Sequence, residues 1–267
     1  QKPLPTRALA ITFDDGFRNN LEFAVPALRE HGFVATFFLT TGFIDRSTDL
    51  WWLRLKRYIL MAENRGQPFI LPGFGQLPVG SHEQAGESYR KALGLLKRLC
   101  ADERIRVLDE LQEEYPAARD VLGTLYDPLT WAEAKELQRQ GMEIGAHTVT
   151  HPILAHESDE RARQEIFYSV QRIKEELSQE DIPFSYPNGQ REDFTKDIED
   201  MVREAGCYAA VAGFPGHNRR REQIYQLRRY PIGGYHTVSS IELDLCGLRS
   251  AIKSVVNILG KGFRRDE

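Results

Sequence analysis

Two adjacent carboxylates, Asp14 and Asp15, lie in the stretch Thr12-Phe13-Asp14-Asp15-Gly16, and two imidazoles four positions apart lie in His147-Thr148-Val149-Thr150-His151. The acidic pair follows Ala8-Leu9-Ala10-Ile11, an apolar run of buried-strand type. A carboxylate there needs water, a cation or a hydrogen-bond donor once its surroundings turn apolar. Asp-Gly is also an ordinary turn dipeptide, so this stretch alone is compatible with a plain turn. The i,i+4 histidine spacing would put both rings on one face of a helix. Pro152 disfavours α conformation at His151, however, and predicts a turn after a strand. A turn can still bring both rings to one ion. An acidic pair and a histidine pair at two strand ends together have the make-up of a His-His-Asp metal site. Three protein ligands with a position left for water is the arrangement of a catalytic divalent site. The second carboxylate is then left for acid–base work.

The elements that must position these groups follow from periodicity. Residues 8–13 read as a strand, 19–31 as a helix closed by Gly32, and 34–39 as a second strand, a βαβ arrangement. Residues 45–126 break the alternation. They hold an amphipathic helix over 50–62, a hairpin around Leu71-Pro72-Gly73-Phe74-Gly75 and a charged helical pair over 89–100 and 102–115. We read this stretch as an inserted, mainly helical, lid-like subdomain, with Trp51 and Trp52 as core or as a ligand-facing edge. The alternation resumes at Leu129. Thr130 and Glu133 have capping-box spacing, Gly141 ends that helix, and residues 142–146 form a strand leading to His147. A helix from Ser158 to Leu177, a strand over 184–186, a helix over 195–205 and a strand over 208–211 follow. Residues 226–232 read as the last strand and 240–259 as a C-terminal helix.

Such alternation argues for an α/β fold with a parallel sheet, and its repetition for a distorted or incomplete (β/α) barrel. Chemistry in such barrels sits where strands end and βα loops begin. The barrel is assigned to residues 1–44 and 127–267, and the insert to 45–126.

With 267 residues, 41% hydrophobic and 28% charged, the composition is that of a globular protein with room for a sizeable core. A net charge of −4 gives no electrostatic reason to expect nucleic-acid binding. Arg219-Arg220-Arg221 and Arg264-Arg265 are short and flanked by acidic residues, as solvated surface is. No stretch reaches bilayer-spanning length. Three scattered cysteines, Cys100, Cys207 and Cys246, fit neither zinc spacing nor a disulfide framework and favour a cytoplasmic location. The chain opens with Gln1, so the cell envelope or secretion is the alternative if a leading segment has been removed. Oligomeric state is not written in these residues.

Thr12-Phe13-Asp14-Asp15-Gly16 together with His147-Thr148-x-x-His151 resembles the NodB-homology polysaccharide deacetylases, carbohydrate esterase family 4. The resemblance runs over residues 6–44 and about 128–235, with the insert outside it. It implies a distorted (β/α) barrel and a metal-dependent hydrolase that removes acetyl groups from N-acetylated, secondarily O-acetylated, sugars of a polysaccharide or its precursor. The implied metal ligands are Asp15, His147 and His151, and the implied general base is Asp14. On ligand grounds zinc comes first, with cobalt or nickel fitting the same set.

Where the family has Arg-x-Pro-Tyr-Gly, this chain has Ser185-Tyr186-Pro187-Asn188-Gly189, closer to a Phe-x-Tyr-Pro-x-Gly subgroup. By analogy the Asn188 backbone N–H would face the oxyanion, a role that survives a changed side chain. The family arginine that orients the catalytic aspartate is lost at Ser185. Arg229 is the candidate substitute, with Arg228 next, and ordinary surface charge is the competing account. The family's late histidine acid has its nearest counterpart in His236, in a Gly-rich loop. Phe17, Tyr186 and Pro187 are candidates to line the acetyl pocket, though packing accounts for them equally well. Two other readings stay open: hydrolysis of a non-glycan cyclic amide or imide, and a decayed site in a carbohydrate-binding protein.

Overall fold

The computed structural model describes residues 8–116, 118–218 and 223–248. Five parallel strands form one sheet in the order β1 (Ile11–Phe13), β2 (Ala35–Leu39), β5 (Glu143–Ala146), β6 (Ile182–Ser185) and β7 (Cys207–Val211). Helices cross over between them, as parallel strands require. They include α1 (Val25–Glu30), α6 (Trp131–Arg139), α7 (Asp159–Leu177) and α8 (Lys196–Glu204). Among the described residues the sheet does not close on itself, so the barrel is incomplete. Phe37, Leu39, Ile144, Ala146, Ile182 and Phe184 are fully buried, and Ile166, Val170 and Ile173 of α7 pack against them. Burial on both faces is why these strands read as unbroken apolar runs rather than alternating ones.

The caps fall where side-chain chemistry places them. Thr130 Oγ1 accepts from the Glu133 N–H at 3.2 Å while Glu133 Oε2 accepts from the Thr130 N–H at 2.7 Å, a reciprocal box. Ser158 and Thr195 cap α7 and α8 through the N–H groups of Arg161 and Ile198. Three expectations change. The helix expected over 19–31 begins as a π-helical turn, Asn20–Ala24, and becomes α-helical only at Val25. Pro26 has no N–H to return to the preceding turn, which breaks the regular ladder there. The strand expected over 226–232 shrinks to a single parallel bridge between Leu227 and Val211. The next ladder donor is diverted, because the Arg229 N–H goes to the Phe214 carbonyl at 3.3 Å rather than to Ala212. The C-terminal helix is present as α9 (Val238–Leu245) and ends in a turn at Cys246 and Gly247; its expected span beyond residue 248, with Arg264-Arg265, and also Arg219-Arg220-Arg221, lies outside the described residues.

Between β2 and α6 lie α2 (Thr41–Ile44), α3 (Trp51–Arg65), an antiparallel hairpin of β3 (Phe69–Leu71) and β4 (Gly75–Leu77), α4 (His82–Leu96) and α5 (Ala101–Glu114). These build a second apolar cluster, with Leu55, Tyr58, Phe69, Leu96, Leu108 and Tyr115 buried in it. A small aromatic cluster joins it to the sheet, where Phe17 meets Phe43, Trp52 and Tyr126 edge-on at 5.6–5.8 Å. Expected and observed helices differ most at α4, which starts at His82, well before Tyr89, because Ser81 caps it.

Gly145 of β5 shows how tightly the sheet sets the position of His147. A Cβ there would meet the Phe38 ring at 2.5 Å and the Pro183 carbonyl at 2.7 Å. Gly145→Ala should therefore destabilise the fold by about 1–3 kcal/mol, read as a lowered urea midpoint; an unchanged midpoint would contradict this packing.

Candidate metal centre

Asp14 and Asp15 leave the end of β1, His147 the end of β5 and Asn188 the loop after β6, so the sheet alone brings three strand ends to one place. Asp15 Oδ1 lies 3.4 Å from His151 Nε2 and 3.7 Å from His147 Nε2. These three atoms lie within 4.8 Å of one another, a spacing one divalent ion can bridge. Two further observations fit a cation. His147 Nδ1 sits 2.7 Å from the Ser185 carbonyl, which fixes the proton on Nδ1 and turns the Nε2 lone pair inward. Asp15 Oδ1 is buried without a hydrogen-bond partner, an orphaned oxygen that a metal would satisfy.

The two carboxylates are sent in opposite directions. Arg229 grips Asp14 with both arms of its guanidinium, Nη1 to Oδ1 at 2.7 Å and Nη2 to Oδ2 at 2.8 Å. Burial alone would raise the Asp14 pKa, but Arg229, with help from His147, pulls it down to about 2. Asp15 receives no such partner. Burial first, and the Asp14 charge second, push it up to about 8. Burial also lowers both histidines, with His147 further depressing His151, so both imidazoles are neutral and ready to ligate.

Arg229 reaches Asp14 through the partial ladder beside β7, where its Nε also donates to the Ala212 carbonyl at 3.0 Å. Ser185, which stands where the resemblance expects an arginine, takes part after all. Its hydroxyl accepts from Arg229 at 3.0 Å and donates to Asp14 Oδ2 at 3.3 Å. The small side chain leaves the room that the distant guanidinium occupies.

The histidine loop is a turn, as Pro152 demanded, with Thr148 and His151 in left-handed backbone (φ 65° and 58°). Glu165 of α7 holds it by accepting from the N–H groups of Val149 and Thr150, both at 2.8 Å. Trp51 of α3 donates from Nε1 to the His151 carbonyl at 2.9 Å, and the Arg104 guanidinium stacks 4.4 Å above that indole. Sequence reasoning missed Glu165 and Arg104; nothing local to either residue signals the contact.

A cavity of about 240 Å³ opens over the centre. Asp14, Asp15, His147, His151 and Asn188 form one wall, and Trp51, Trp52, Tyr89, Leu93 and Lys97 of the insert form the other. Trp51 is thus both buried core and cavity wall. Lys97, another residue sequence reasoning missed, sits just past α4 with its ammonium hydrogen-bonded to Asn188 Oδ1, and burial lowers its pKa. Asn188 itself is in left-handed backbone (φ 59°), and its amide nitrogen donates to Asp193.

The structure does not bring every candidate here. His236 lies outside the cavity wall, half-buried in its own turn, where its Nδ1 accepts from the Gly233 N–H at 3.0 Å. Phe17 is packed in the aromatic cluster, and Tyr186 stacks on Phe194 at 4.0 Å while its hydroxyl donates to the Tyr225 carbonyl. Pro187 is buried behind Asn188. None of the three lines the cavity, and packing accounts for them. Arg228 lies over the Phe214 ring at 5.8 Å, away from Asp14.

A family model described as polysaccharide deacetylase matches residues 1–67 and 77–210, and so runs through much of the 45–126 stretch as well. No curated protein matches the sequence. Among solved structures, the chain is similar to the Streptococcus pyogenes deacetylase PplD in complex with acetate (16% identity, 88% of this chain and 69% of that one, TM-score 0.53). It is similar also to the BpsB deacetylase domain of Bordetella bronchiseptica (17%, 85% and 72%, TM-score 0.51) and to a de-N-acetylase of Aggregatibacter actinomycetemcomitans (17%, 90% and 76%, TM-score 0.54). At such identities these neighbours speak for the fold.

The centre makes a prediction about ion uptake. Below pH 8 an entering cation must displace the Asp15 proton, whereas above it the carboxylate is already free. Zinc affinity of the metal-free protein should rise about tenfold per pH unit between roughly 6 and 8, with about one proton released per ion, then level off. Calorimetry in buffers of different ionisation heat reads both quantities; an affinity flat across that range would contradict the Asp15 assignment.

Proposed function

The chain belongs to the polysaccharide deacetylase family, and from that premise we propose that it hydrolyses the acetamide of N-acetylated sugars in a glycan or glycan precursor, using a divalent metal, zinc first. One observation carries the reading: Asp15, His147 and His151 converge on a point beside a second carboxylate that Arg229 keeps ionised. A binding surface has no use for such a set.

A divalent cation on these three ligands would acidify a water and polarise the acetyl carbonyl. The chain's own residues do the rest. A carboxylate held near pKa 2 is a poor base toward bulk water, so Asp14 works only on an acidified one. Arg229 fixes its two oxygens and leaves one edge for the attacking water. As water adds to the carbonyl carbon, Asp14 takes its proton and the carbonyl oxygen becomes an oxyanion. The Asn188 backbone N–H, presented by its left-handed conformation, stabilises that charge.

Breaking the C–N bond requires a proton on the departing amine. His236 is outside the cavity wall, whereas Lys97 is on it. Lys97 donates the proton and is recharged with the one Asp14 holds, which restores both groups while acetate and the free amine leave. The insert then acts as a lid-like wall that brings an acid to the site. N-acetyl is preferred over O-acetyl because an amine leaving group needs this protonation, while an alkoxide on a sugar needs it less.

Acetate release from N-acetylglucosamine oligomers by the zinc-loaded protein is the direct test. His147→Ala should lose both the ion and turnover. Lys97→Met should keep the ion and lower kcat by about 10²-fold or more with little change in KM. Full activity in Lys97→Met would return the acid role to another group, and no acetate from any oligomer by metal-loaded protein would overturn the reading.

A further inference from the structure

Beside the metal centre lies a second cavity, of about 370 Å³, whose wall carries the guanidinium groups of Arg46, Arg54, Arg57 and Arg104 against one carboxylate, Asp49. We propose that it is a subsite for an anionic group, a phosphate ester or a carboxylate, carried by the same glycan. Only the word glycan rests on the deacetylase reading; the anion site stands on the cavity's own groups.

The charges do not balance within the wall. Arg57 pairs with Asp49, which also accepts the Leu50 N–H at 2.9 Å. Arg54 pairs at 2.8 Å with Asp109, a largely exposed residue that does not line the cavity. Arg104 is 1% exposed and spends its donors on the carbonyls of Leu96 and Leu99, at 3.1 and 2.7 Å. Neither Arg104 nor Arg46 has a carboxylate within 4.0 Å among the described residues. Like charges gathered in a partly enclosed space repel, and a bound anion relieves them.

Two more features point inward. Arg57 Nε is buried without a hydrogen-bond partner, so one donor of the pocket is unmet by the protein. The fifteen-residue helix α3 starts at the cavity edge with no side-chain cap, and its positive end adds to the same field. Guanidinium forks match carboxylate and phosphate oxygens in pairs, which a neutral sugar cannot use.

The position ties this cavity to the reaction. Thr150 and Pro152 line it, while His151 between them lines the metal cavity, and Trp51 borders both. A sugar in the arginine cavity therefore sits next to one presented to the metal.

Calorimetric titration of the metal-loaded protein with glucose 6-phosphate, glucuronate and glucose, in roughly 150 mM salt, tests this. At least one anionic probe should bind saturably and glucose should not; which anion binds tighter distinguishes the phosphate from the carboxylate source. Arg46→Glu, at an exposed residue with no carboxylate partner, should weaken that binding at least about tenfold and leave acetate release from neutral oligomers unchanged. Arg57→Gln should weaken it too, with circular dichroism to show the fold intact. Saturation by neither anion, or equal affinity in wild type and Arg46→Glu, overturns the proposal. The readout needs no turnover, so failure of the deacetylase assay would leave it standing or falling on its own.

Discussion

Two neighbouring carboxylates packed side by side at the end of β1 cannot both stay charged without help, and Arg229 gives that help to one of them only. Its two-armed grip on Asp14 leaves Asp15 with a buried oxygen that no residue satisfies. From that asymmetry follows an ionised base beside an unsatisfied ligand, while burial keeps neutral the two imidazoles aimed at the same point. A second arginine would tie up the ligand, and none at all would leave the pair to share a proton.

Holding this arrangement costs backbone strain. Asp15, Thr148, His151 and Asn188 all sit at positive φ, where side chains other than glycine are disfavoured. The surroundings over-determine each one. Glu165 and Trp51 fix the histidine loop, and Gly42 lets the Val149 carbonyl approach so closely that a Cβ there would lie 2.6 Å from it. Gly213 plays the same part for Asn188, whose carbonyl would lie 2.2 Å from an added Cβ. The insert is part of this bracing. Arg104 closes the end of α4, stacks on Trp51 and so reaches His151 at second hand, while the Lys97 carbonyl meets His156 at 2.8 Å and the Ala101 N–H meets Glu157 at 2.8 Å.

What the sequence disclosed and what it hid divide along one line. Asp14, Asp15, His147 and His151 were legible because each pair is local and its residue types are costly where strands end. The parallel sheet was legible for a similar reason, since apolar runs and caps are written in consecutive residues. Arg229 was legible only as a replacement for an arginine that Ser185 lacks, and its partner is visible only once β1 and β7 are placed in one sheet. Lys97, Glu165 and Arg104 were hidden because their contacts depend on how the insert and α7 dock, which no spacing records. Phe17, Tyr186 and Pro187 were drawn by proximity in sequence to motif residues, and His236 as the nearest counterpart of a late family histidine, but ring packing and a local turn claim them instead.

The division of labour between the adjacent aspartates is the centre of the account, and one paired measurement tests it directly. Metal content and acetate release should be determined side by side for wild type and Asp14→Asn. The account predicts that Asp14→Asn keeps about one equivalent of zinc, as three ligands require, and releases almost no acetate. Loss of the metal from Asp14→Asn, or turnover close to wild type, would contradict it.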